Sequence, residues 1–557
     1  MRLRSLRLVL LLLFVALPAA GQTQRLTLED LHASPKYAGA FFQGGRWAAD
    51  GPVVLYVRAN DDGTTDLMQY NLETDARTVL VRGLDLRATD KTGTVGIEDY
   101  AYDRSGRRLL FFTDTQPVWR YNTQGFYYIY DLDLKRVSPI GERGAGTQLF
   151  AKFSPDGQKV GFVRNRNLYV RDLATGQETA LTTDGAEGSI INGTTDWVYE
   201  EEFGLRDAWQ WSPDGRQIAF LKFDESREQM FEMVDQRGQY PVATRFRYPK
   251  VGTPNAEVRL GVIDLGTGQT RFFDTNTWQA GGDEHEYLPQ FGWTPVIDGK
   301  ARVWAFRMNR DQNVLDLLYG DPETMQVRTV LQERMENGWL EVESGFTDLV
   351  GGNLTFLQDG RHFIWVSERD GYRHLYLYRN DGTLVRPLTQ GRWDVTGFLG
   401  ADEAAGVIYF QAARESPMER HVYRQAVNLG AATTPTTGRG RTSGRGRTSG
   451  TQPATASEPV RITPEAGWHD ADLSRDRRYF IDTHSTLGQP PVVRLRRTDG
   501  TLVKVLEGNE ALIRRLADTR RPTREFIQVP GADGQMLNAL VFKPSHFDPA
   551  KKYPVLL

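Results

Sequence analysis

The stretch Phe153-Ser154-Pro155-Asp156-Gly157 occurs a second time, as Trp211-Ser212-Pro213-Asp214-Gly215. Each copy is followed by a basic residue or glutamine and then by a short run of strand-forming residues. Weaker echoes of the same turn lie at 103–106, 357–360 and 473–476. A turn that recurs in this way between short strands indicates a β fold built from repeats.

The residues after the first turn show what one repeat contains. Residues 159–164 and 167–173 have the pattern of strands, and a tight turn at 175–177 leads to a third strand at 179–181. Short strands joined by turns, with a period of about 50 residues, are typical of a propeller blade. Repeats start near Trp47, Tyr100, Phe150, Trp209, Phe291, Phe356, Phe398 and Ala471.

The repeats therefore predict an all-β fold, a β-propeller of about eight four-stranded blades over residues 46–508. Blades four to seven are less regular in sequence, which leaves seven blades as an alternative. An array of β-sandwiches is a second alternative, but sandwiches do not require one turn at a fixed place in every unit.

Composition excludes several functional classes. The 557 residues carry a net charge of −3, without the basic excess that phosphate-backbone binding needs, so no nucleic acid partner is expected. The 55 glycines, 27 phenylalanines, 22 tyrosines and 12 tryptophans favour short strands and tight turns over helices. The absence of cysteine excludes disulfides, thiolate zinc sites, iron–sulfur clusters and a cysteine nucleophile.

The amino terminus has the layout of a secretory signal. Three arginines precede the apolar run 8–17, which is followed by small residues up to Gly21. We expect a signal peptide at 1–21 and an exported protein, periplasmic or secreted. The run is too short to span a bilayer, so no stable membrane span is expected.

A second atypical segment lies at 431–458. Its main part contains neither acidic nor large apolar residues and repeats Gly-Arg-Gly-Arg-Thr-Ser in tandem from Gly438. Such a composition cannot bury enough apolar area to offset chain entropy, so a disordered insertion within the propeller is expected.

The pattern changes again after residue 508. Residues 510–516 have helical spacing, residues 526–530 and 537–544 have the pattern of strands, and residues 551–557 suggest the start of a buried strand. We therefore expect a new domain at 509–557. Because its last strand would lack the crossover that covers it, the domain is expected to be truncated.

Three consecutive carboxylates, Glu200-Glu201-Glu202, stand among aromatic residues between the third and fourth blades. On a helical turn such side chains lie about 100° apart, and two of them can converge on one cation. Partial desolvation by the aromatics would make their repulsion costly without that cation. An ammonium group is favoured over a metal, because no histidine stands at ligand spacing to another. A solvated acidic turn is the alternative.

Arg120 is the second candidate for binding. It stands between Trp119 and Tyr121, where its guanidinium could offer its fork to a carbonyl or carboxylate while stacking on the rings. The alternative is an arginine that only packs.

The segment 196–202, Asp-Trp-Val-Tyr-Glu-Glu-Glu, resembles the double-glutamate motif of the dipeptidyl peptidase IV group within the prolyl oligopeptidase family. Further similar segments follow in the same order, at 119–120, 248–252 with Asn255, 309–313, 371–374, 544–548 and 551–554. The last two are similar to the entry into that family's α/β-hydrolase domain. The resemblance covers nearly everything from residue 26 to 557.

The resemblance implies a role for three residues. Glu201 and Glu202 would hold the free α-ammonium of a peptide substrate, whereas Glu200 is not assigned that role. Arg120 would hold the carbonyl of the substrate's penultimate residue. Peptides with a free amino terminus are thus the expected partners, a homodimer is allowed, and no cofactor or metal is implied.

The resemblance also implies what the rest of the chain does. Residues 22–45 would pack on the hydrolase domain, and 509–557 would contain its first strands. No Gly-x-Ser-x-Gly elbow occurs in the sequence, and the Ser, Asp and His of an α/β-hydrolase would follow residue 557. We therefore expect the substrate-selecting part of a serine dipeptidyl peptidase, without catalytic residues of its own.

Three other functions remain open from the sequence. A periplasmic propeller scaffold would share the turns, but would have no reason to continue into residues 551–555. A propeller glycosidase would place its acids on separate blades rather than side by side. A homologue with an inactive hydrolase domain would have an unchanged propeller.

Overall fold

The computed structural model describes residues 24–42, 44–275, 286–342, 352–427 and 457–556. The predicted signal peptide at 1–21 and most of the predicted insertion, 431–456, lie outside these residues. The described chain is built mainly from short antiparallel strands that form eight successive four-stranded meanders. We number these blades 1 to 8 in chain order.

The first four blades contain the clearest sequence repeats. Their strands are Arg46–Trp47, Val53–Ala59, Thr65–Asn71 and Arg77–Val81 in blade 1; Asp99–Tyr102, Arg108–Val118, Tyr121–Asp131 and Arg136–Pro139 in blade 2; Gln148–Phe153, Lys159–Arg164, Asn167–Asp172 and Glu178–Ala180 in blade 3; and Trp209–Trp211, Gln217–Asp224, Glu257–Asp264 and Thr270–Phe272 in blade 4.

Blades 5 to 8 repeat the same meander. Their strands are Phe291–Trp293, Val303–Asn309, Val314–Gly320 and Val327–Arg334 in blade 5; Leu354–Phe356, His362–Ser367, His374–Arg379 and Leu384–Pro387 in blade 6; Val395–Asp402, Val407–Ala412, His421–Ala426 and Val460–Arg461 in blade 7; and Trp468–Leu473, Tyr479–Thr486, Gln489–Arg497 and Leu502–Glu507 in blade 8. The prediction of eight blades is confirmed.

Some elements add to the blades. Ile190–Asn192 and Glu286–Tyr287 extend the sheets of blades 4 and 5. Strands Met230–Asp235 and Val242–Arg247 form an inserted pair, which we call the blade-4 hairpin. The helices are α1 (Leu28–His32), α2 (Trp197–Glu202) and α3 (Glu510–Ala517), and single 3-10 turns lie at Pro35–Tyr37, Gly83–Asp85 and Arg143–Ala145.

The repeated turn is held by its serine and aspartate. The Ser154 hydroxyl donates to Asp156 Oδ1 over 2.6 Å and accepts a hydrogen bond from the Lys159 amide over 2.9 Å. Gly157 has a φ of +69°, a left-handed conformation that favours glycine. Ser212 and Ser474 make the same pairs of bonds in blades 4 and 8. In blades 3, 4 and 8 this turn joins the first two strands of the blade, which is why it recurs at the same place in the repeat.

Apolar side chains fill the spaces between successive blades and close the ring. Trp47, Val54 and Tyr70 of blade 1 form one buried cluster with Ile481 and Leu495 of blade 8. Further clusters join each blade to the next along the chain. A closed ring of this kind excludes the β-sandwich alternative, in which distant sheets need not meet.

The last described residues depart from the blade pattern. α3 agrees with the helical spacing at 510–516, and strands Thr523–Pro530 and Met536–Lys543 form the predicted hairpin. Gln24–Arg25 pairs in parallel with Thr519–Arg520, so the amino-terminal segment contacts this region. The strand predicted at the end of the chain is wrong for the described residues. Residues 553–556 pair with no described strand, and Val555 and Leu556 are exposed. An apolar strand forms only beside a sheet partner, because its backbone N–H and C=O groups need hydrogen bonds.

Candidate functional site

Helix α2 carries the three glutamates. Asp196 caps its first turn, accepting a hydrogen bond at 2.9 Å from the Tyr199 amide. Consecutive side chains on a helix lie about 100° apart, so the three glutamates of this six-residue helix point in different directions. Glu200 is buried, the Glu201 side chain is 22% exposed, and Glu202 is exposed.

Arg120 lies at the tip of the long hairpin in blade 2. Its strands, Arg108–Val118 and Tyr121–Asp131, have 11 residues each and extend to the helix α2. Arg120 Nε donates to Glu201 Oε1 over 2.8 Å and to Oε2 over 3.1 Å. The side chain is 72% exposed, and its Nη groups donate to no described residue. Those groups remain available to an acceptor from solution.

The flanking aromatics do not stack on Arg120, contrary to the sequence interpretation. The Trp119 ring meets Phe246 edge to face, with centroids 4.7 Å apart. The Tyr121 ring lies under the Arg206 guanidinium, 3.8 Å from its centroid. Both rings therefore contact groups on other elements and leave the Arg120 guanidinium open.

Glu202 meets a residue from blade 5. Gln312 Nε2 donates to Glu202 Oε1 over 2.7 Å, from the turn that joins the second and third strands of that blade. Glu202 also lines an open cavity of about 290 Å³ together with Phe203, Arg310, Asp311, Gln312, Trp339, Glu341 and Val342. The segment 309–313 had no assigned role in the sequence, since 110 residues separate Gln312 from Glu202.

Glu200 is the desolvated acid of the motif. It is 5% exposed, and its Oε1 has no hydrogen-bond partner among the described residues. Burial raises its pKa to about 7; nearby Arg206 lowers the pKa and Glu201 raises it further. The aromatic context was expected to desolvate the acids in general. It buries Glu200 and leaves Glu201 and Glu202 accessible to a ligand.

This arrangement can bind one cation and one neutral acceptor. Glu201 and Glu202 offer carboxylate oxygens, and Arg120 offers free N–H groups beside Glu201. A peptide amino terminus offers both partners: its α-ammonium group is the cation for the carboxylates, and a carbonyl that follows it is the neutral acceptor for Arg120. Of the three residues singled out from the sequence, Arg120 thus contacts Glu201 directly, and Glu202 follows Glu201 on the same helix.

Residues 103–491 match the family model described as the dipeptidyl peptidase IV N-terminal region. The chain belongs to the dipeptidyl peptidase IV family. Dipeptidyl peptidase 4 of Trichophyton equinum is 25% identical over 511 residues, which are 90% of this chain and 60% of the relative. The chain therefore spans about 60% of the length of the curated relatives it matches.

Two solved structures are similar to this chain. The crystal structure of Porphyromonas gingivalis dipeptidyl peptidase 4 matches with a TM-score of 0.79 and 29% identity, covering 96% of this chain and 69% of that one. A putative dipeptidyl aminopeptidase IV from Bacteroides ovatus matches with a TM-score of 0.65 and 22% identity, over the same shares of the two chains. The second likeness shows the fold alone.

A second group of acids, Asp196, Glu225 and Glu228, includes the residue that caps α2. Burial is the main cause of the raised pKa of Asp196, to about 7, and of Glu228, to about 8; it also raises the pKa of Glu225. The charge of Glu225 raises the pKa of Asp196 further, and the charges of Asp196 and Glu225 raise that of Glu228. Arg166 and Arg247 lower the pKa of Glu225. Asp196 and Glu225 also line a cavity of about 640 Å³ beside the blade-4 hairpin.

Because the pKa values of these acids are raised in the folded protein, we expect their contribution to the free energy of unfolding to fall as the pH rises. A carboxyl whose pKa is higher in the folded state than in the unfolded chain favours folding below its unfolded value, and this contribution is lost as the pH rises toward the folded value. For Asp196 the window runs from about pH 4 to pH 7. Asp196→Asn keeps the helix cap but removes the titration. Relative to the parent, its free energy of unfolding should rise by up to about 1.4 kcal/mol per pH unit in this window.

Urea unfolding at pH 5, 6 and 7 measures this difference. The exposed Glu232 supplies a control, since Glu232→Gln should run parallel to the parent at all three pH values. An Asp196→Asn curve that also runs parallel to the parent would mean that Asp196 is ionised throughout.

Three histidines that are distant in sequence also come together, which spacing alone did not indicate. The ring of His469 lies 5.2 Å from that of His421 and 4.5 Å from that of His484. Ligand atoms of Glu465, His469 and Asp482 lie within 4.8 Å of one another, as at a metal site. Arg496 donates to both of these carboxylates over 2.6 to 2.8 Å. Its guanidinium supplies the positive charge that the carboxylates require.

Proposed function

We propose that this chain is the substrate-selecting region of an exported serine dipeptidyl peptidase, which removes dipeptides from free peptide amino termini. The observation that carries the proposal is the group formed by Glu201, Glu202 and Arg120. Glu201 pairs with Arg120, whose terminal N–H groups are free of described partners, and Glu202 offers a second accessible carboxylate at the next position of the helix. The named relatives are dipeptidyl peptidases, which supports the same conclusion.

The site selects substrates by charge. Glu201 and Glu202 bind the protonated amino terminus, which loses its charge and gains bulk when it is acetylated. Arg120 donates from its Nη groups to the carbonyl of the penultimate residue. Because these contacts hold both the terminus and the next peptide unit, they set the distance from the terminus to the bond that is cut.

The chemistry of hydrolysis lies outside this chain in the proposal. A serine nucleophile, whose proton is taken by a histidine that an aspartate orients, attacks the carbonyl carbon of the second residue. The histidine gives that proton to the nitrogen of the third residue, the bond between the second and third residues breaks, and the dipeptide remains on the serine as an acyl-enzyme. Water then releases the dipeptide. The propeller contributes the binding that brings the second peptide bond to that serine, and no cofactor is required.

Export is part of the same proposal. The arginines before the apolar run 8–17 support it. Among the described residues, no helix is long and apolar enough to span a membrane. Free peptides are the expected substrates in such a compartment.

We expect this chain alone and a longer protein that contains it to differ in peptidase activity. The chain alone should release no dipeptide from an unblocked, proline-containing chromogenic peptide, whereas the same chain extended to the length of its relatives should. Mass spectrometry of a longer unblocked peptide should then show successive loss of amino-terminal dipeptides. Internal cleavage products from the extended protein, or turnover by the pure chain alone, would contradict it.

A non-catalytic scaffold is the second candidate. Its only specific support is the propeller itself, a fold that also serves binding proteins. It would bind peptides at the same site, and the extended protein would release no dipeptides in the assay above.

A further inference from the structure

The tip that carries Arg120 is an irregular part of the blade-2 sheet. The register of the two long strands shifts twice near Gln116, and pairing resumes only for the last two pairs before the tip, Pro117 with Asn122 and Val118 with Tyr121. Trp119 has a φ of +55°, a left-handed conformation that a bulky side chain rarely adopts. Contacts outside blade 2 must therefore hold this conformation.

The blade-4 hairpin supplies the first of these contacts. Phe246 on its second strand meets the ring of Trp119 edge to face at 4.7 Å. Phe246 in turn lies beside Phe231 and Tyr248, at centroid distances of 5.7 and 6.3 Å. The tip of blade 2 thus ends in an aromatic cluster that belongs to blade 4.

The same cluster reaches the helix that carries the glutamates. Tyr248 packs on Trp197, the first residue of α2, with ring centroids 4.6 Å apart. Just beyond the last turn of α2, Arg206 lies over the ring of Tyr121, on the other side of Arg120. Both neighbours of Arg120 are therefore connected to the segment that holds Glu201: Trp119 through the aromatic cluster to the first residue of α2, and Tyr121 directly to Arg206 after the helix.

We propose that the blade-4 hairpin positions Arg120, and that Phe246 is the residue through which it acts. The Phe246–Trp119 contact fixes the tip of blade 2, and the tip fixes the guanidinium beside Glu201. Phe246 touches neither the ammonium nor the carbonyl of a substrate; it is a positioning residue. The inference rests on the proposed function of Arg120 and adds to it a part of the molecule that binds no substrate.

The test is a double-mutant cycle in the full-length protein, with an unblocked dipeptide chromogenic substrate. Phe246→Ala should raise KM about three- to tenfold, as expected for the loss of one aromatic pair, with kcat close to that of the parent. Phe246→Tyr, which keeps the ring, should restore the parent KM. Added to Arg120→Ala, Phe246→Ala should cause no further loss, because its effect passes through Arg120.

Controls separate this inference from loss of fold and from the proposed function. Met233→Ala removes an exposed apolar side chain from the same hairpin and should leave KM unchanged. If Phe246→Ala does not fold, Phe246→Leu keeps apolar bulk without the ring and should show the same rise in KM. A parent-like KM in the folded variant, or a loss that adds fully to that of Arg120→Ala, would overturn the positioning role. If Arg120→Ala itself has no effect, the proposed function of Arg120 has failed instead.

Discussion

Replacing Glu201 by alanine in the full-length protein is expected to lower kcat/KM for an unblocked peptide about 30-fold, or about 2 kcal/mol of transition-state binding. The side chain is 22% exposed, so water screens its charge only in part. Its loss leaves the substrate ammonium without the less exposed of the two carboxylates. It also removes the carboxylate to which Arg120 donates. Glu202 is exposed and its alanine variant should lose less, about fivefold, as for a solvent-screened pair.

Steady-state kinetics with a small activated ester provide the control, because ester hydrolysis needs the serine but not the ammonium site. All glutamate variants should keep the parent rate on the ester. Arg120→Ala should cost less than Glu201→Ala, since it removes a hydrogen bond to a neutral carbonyl while freeing Glu201 for the ammonium. If Glu201→Ala and the parent cleave the peptide equally well, the acidic segment is only a solvated turn.

Arg307→Met is expected to destabilise the propeller by about 3–5 kcal/mol. Arg307 and Asp316 face each other on the second and third strands of blade 5 and are 3% and 2% exposed as side chains. Arg307 Nη2 lies 2.6 Å from Asp316 Oδ2, and Gln332 Nε2 donates to the other carboxylate oxygen over 2.9 Å. Removing the guanidinium leaves a buried carboxylate with one neutral donor. The same strands carry the turn that places Gln312 beside Glu202.

Chemical denaturation measures this effect, and a second ion pair offers a matched control. Glu232 and Arg245 face each other across the blade-4 hairpin in the same way, but both are exposed, so Arg245→Met should cost less than about 1 kcal/mol. The double variant Arg307→Met with Asp316→Leu should recover most of the stability, because no buried charge then lacks a partner. If Arg307→Met lowers the free energy of unfolding no more than Arg245→Met does, the buried pair contributes no more to stability than the exposed one, and the prediction is wrong.

The propeller could be predicted from the sequence because its signal is local and repeated. The side chains of Ser154 and Asp156 make their hydrogen bonds within six residues, so the chemistry of this turn is visible in a short stretch. All eight predicted repeat starts fall within the first strands of the eight blades. The helical turn considered at the three glutamates is also a local feature, since Asp196 caps it by accepting a hydrogen bond from the amide three residues later.

The candidate site could be predicted only in part, because its remaining contacts join distant segments. Gln312 reaches Glu202 from another blade, and Phe246 reaches Trp119 from an insertion that interrupts the repeat. The packing around α2 determines which of the three adjacent glutamates is buried. That packing involves residues distant in sequence, so the local sequence does not predict it. The buried histidines of blades 7 and 8 were missed for the same reason.

The central claim, that Glu201 recognises a free ammonium, is tested most directly by comparing one peptide with its acetylated form in the parent and in Glu201→Gln. The variant keeps the size of the side chain and removes its charge. The parent should cleave the free peptide much faster than the acetylated one, and the variant should lose most of this preference while cleaving the acetylated peptide at the parent's rate. A preference of the same size in both proteins would contradict the account, because the ammonium would then be recognised elsewhere.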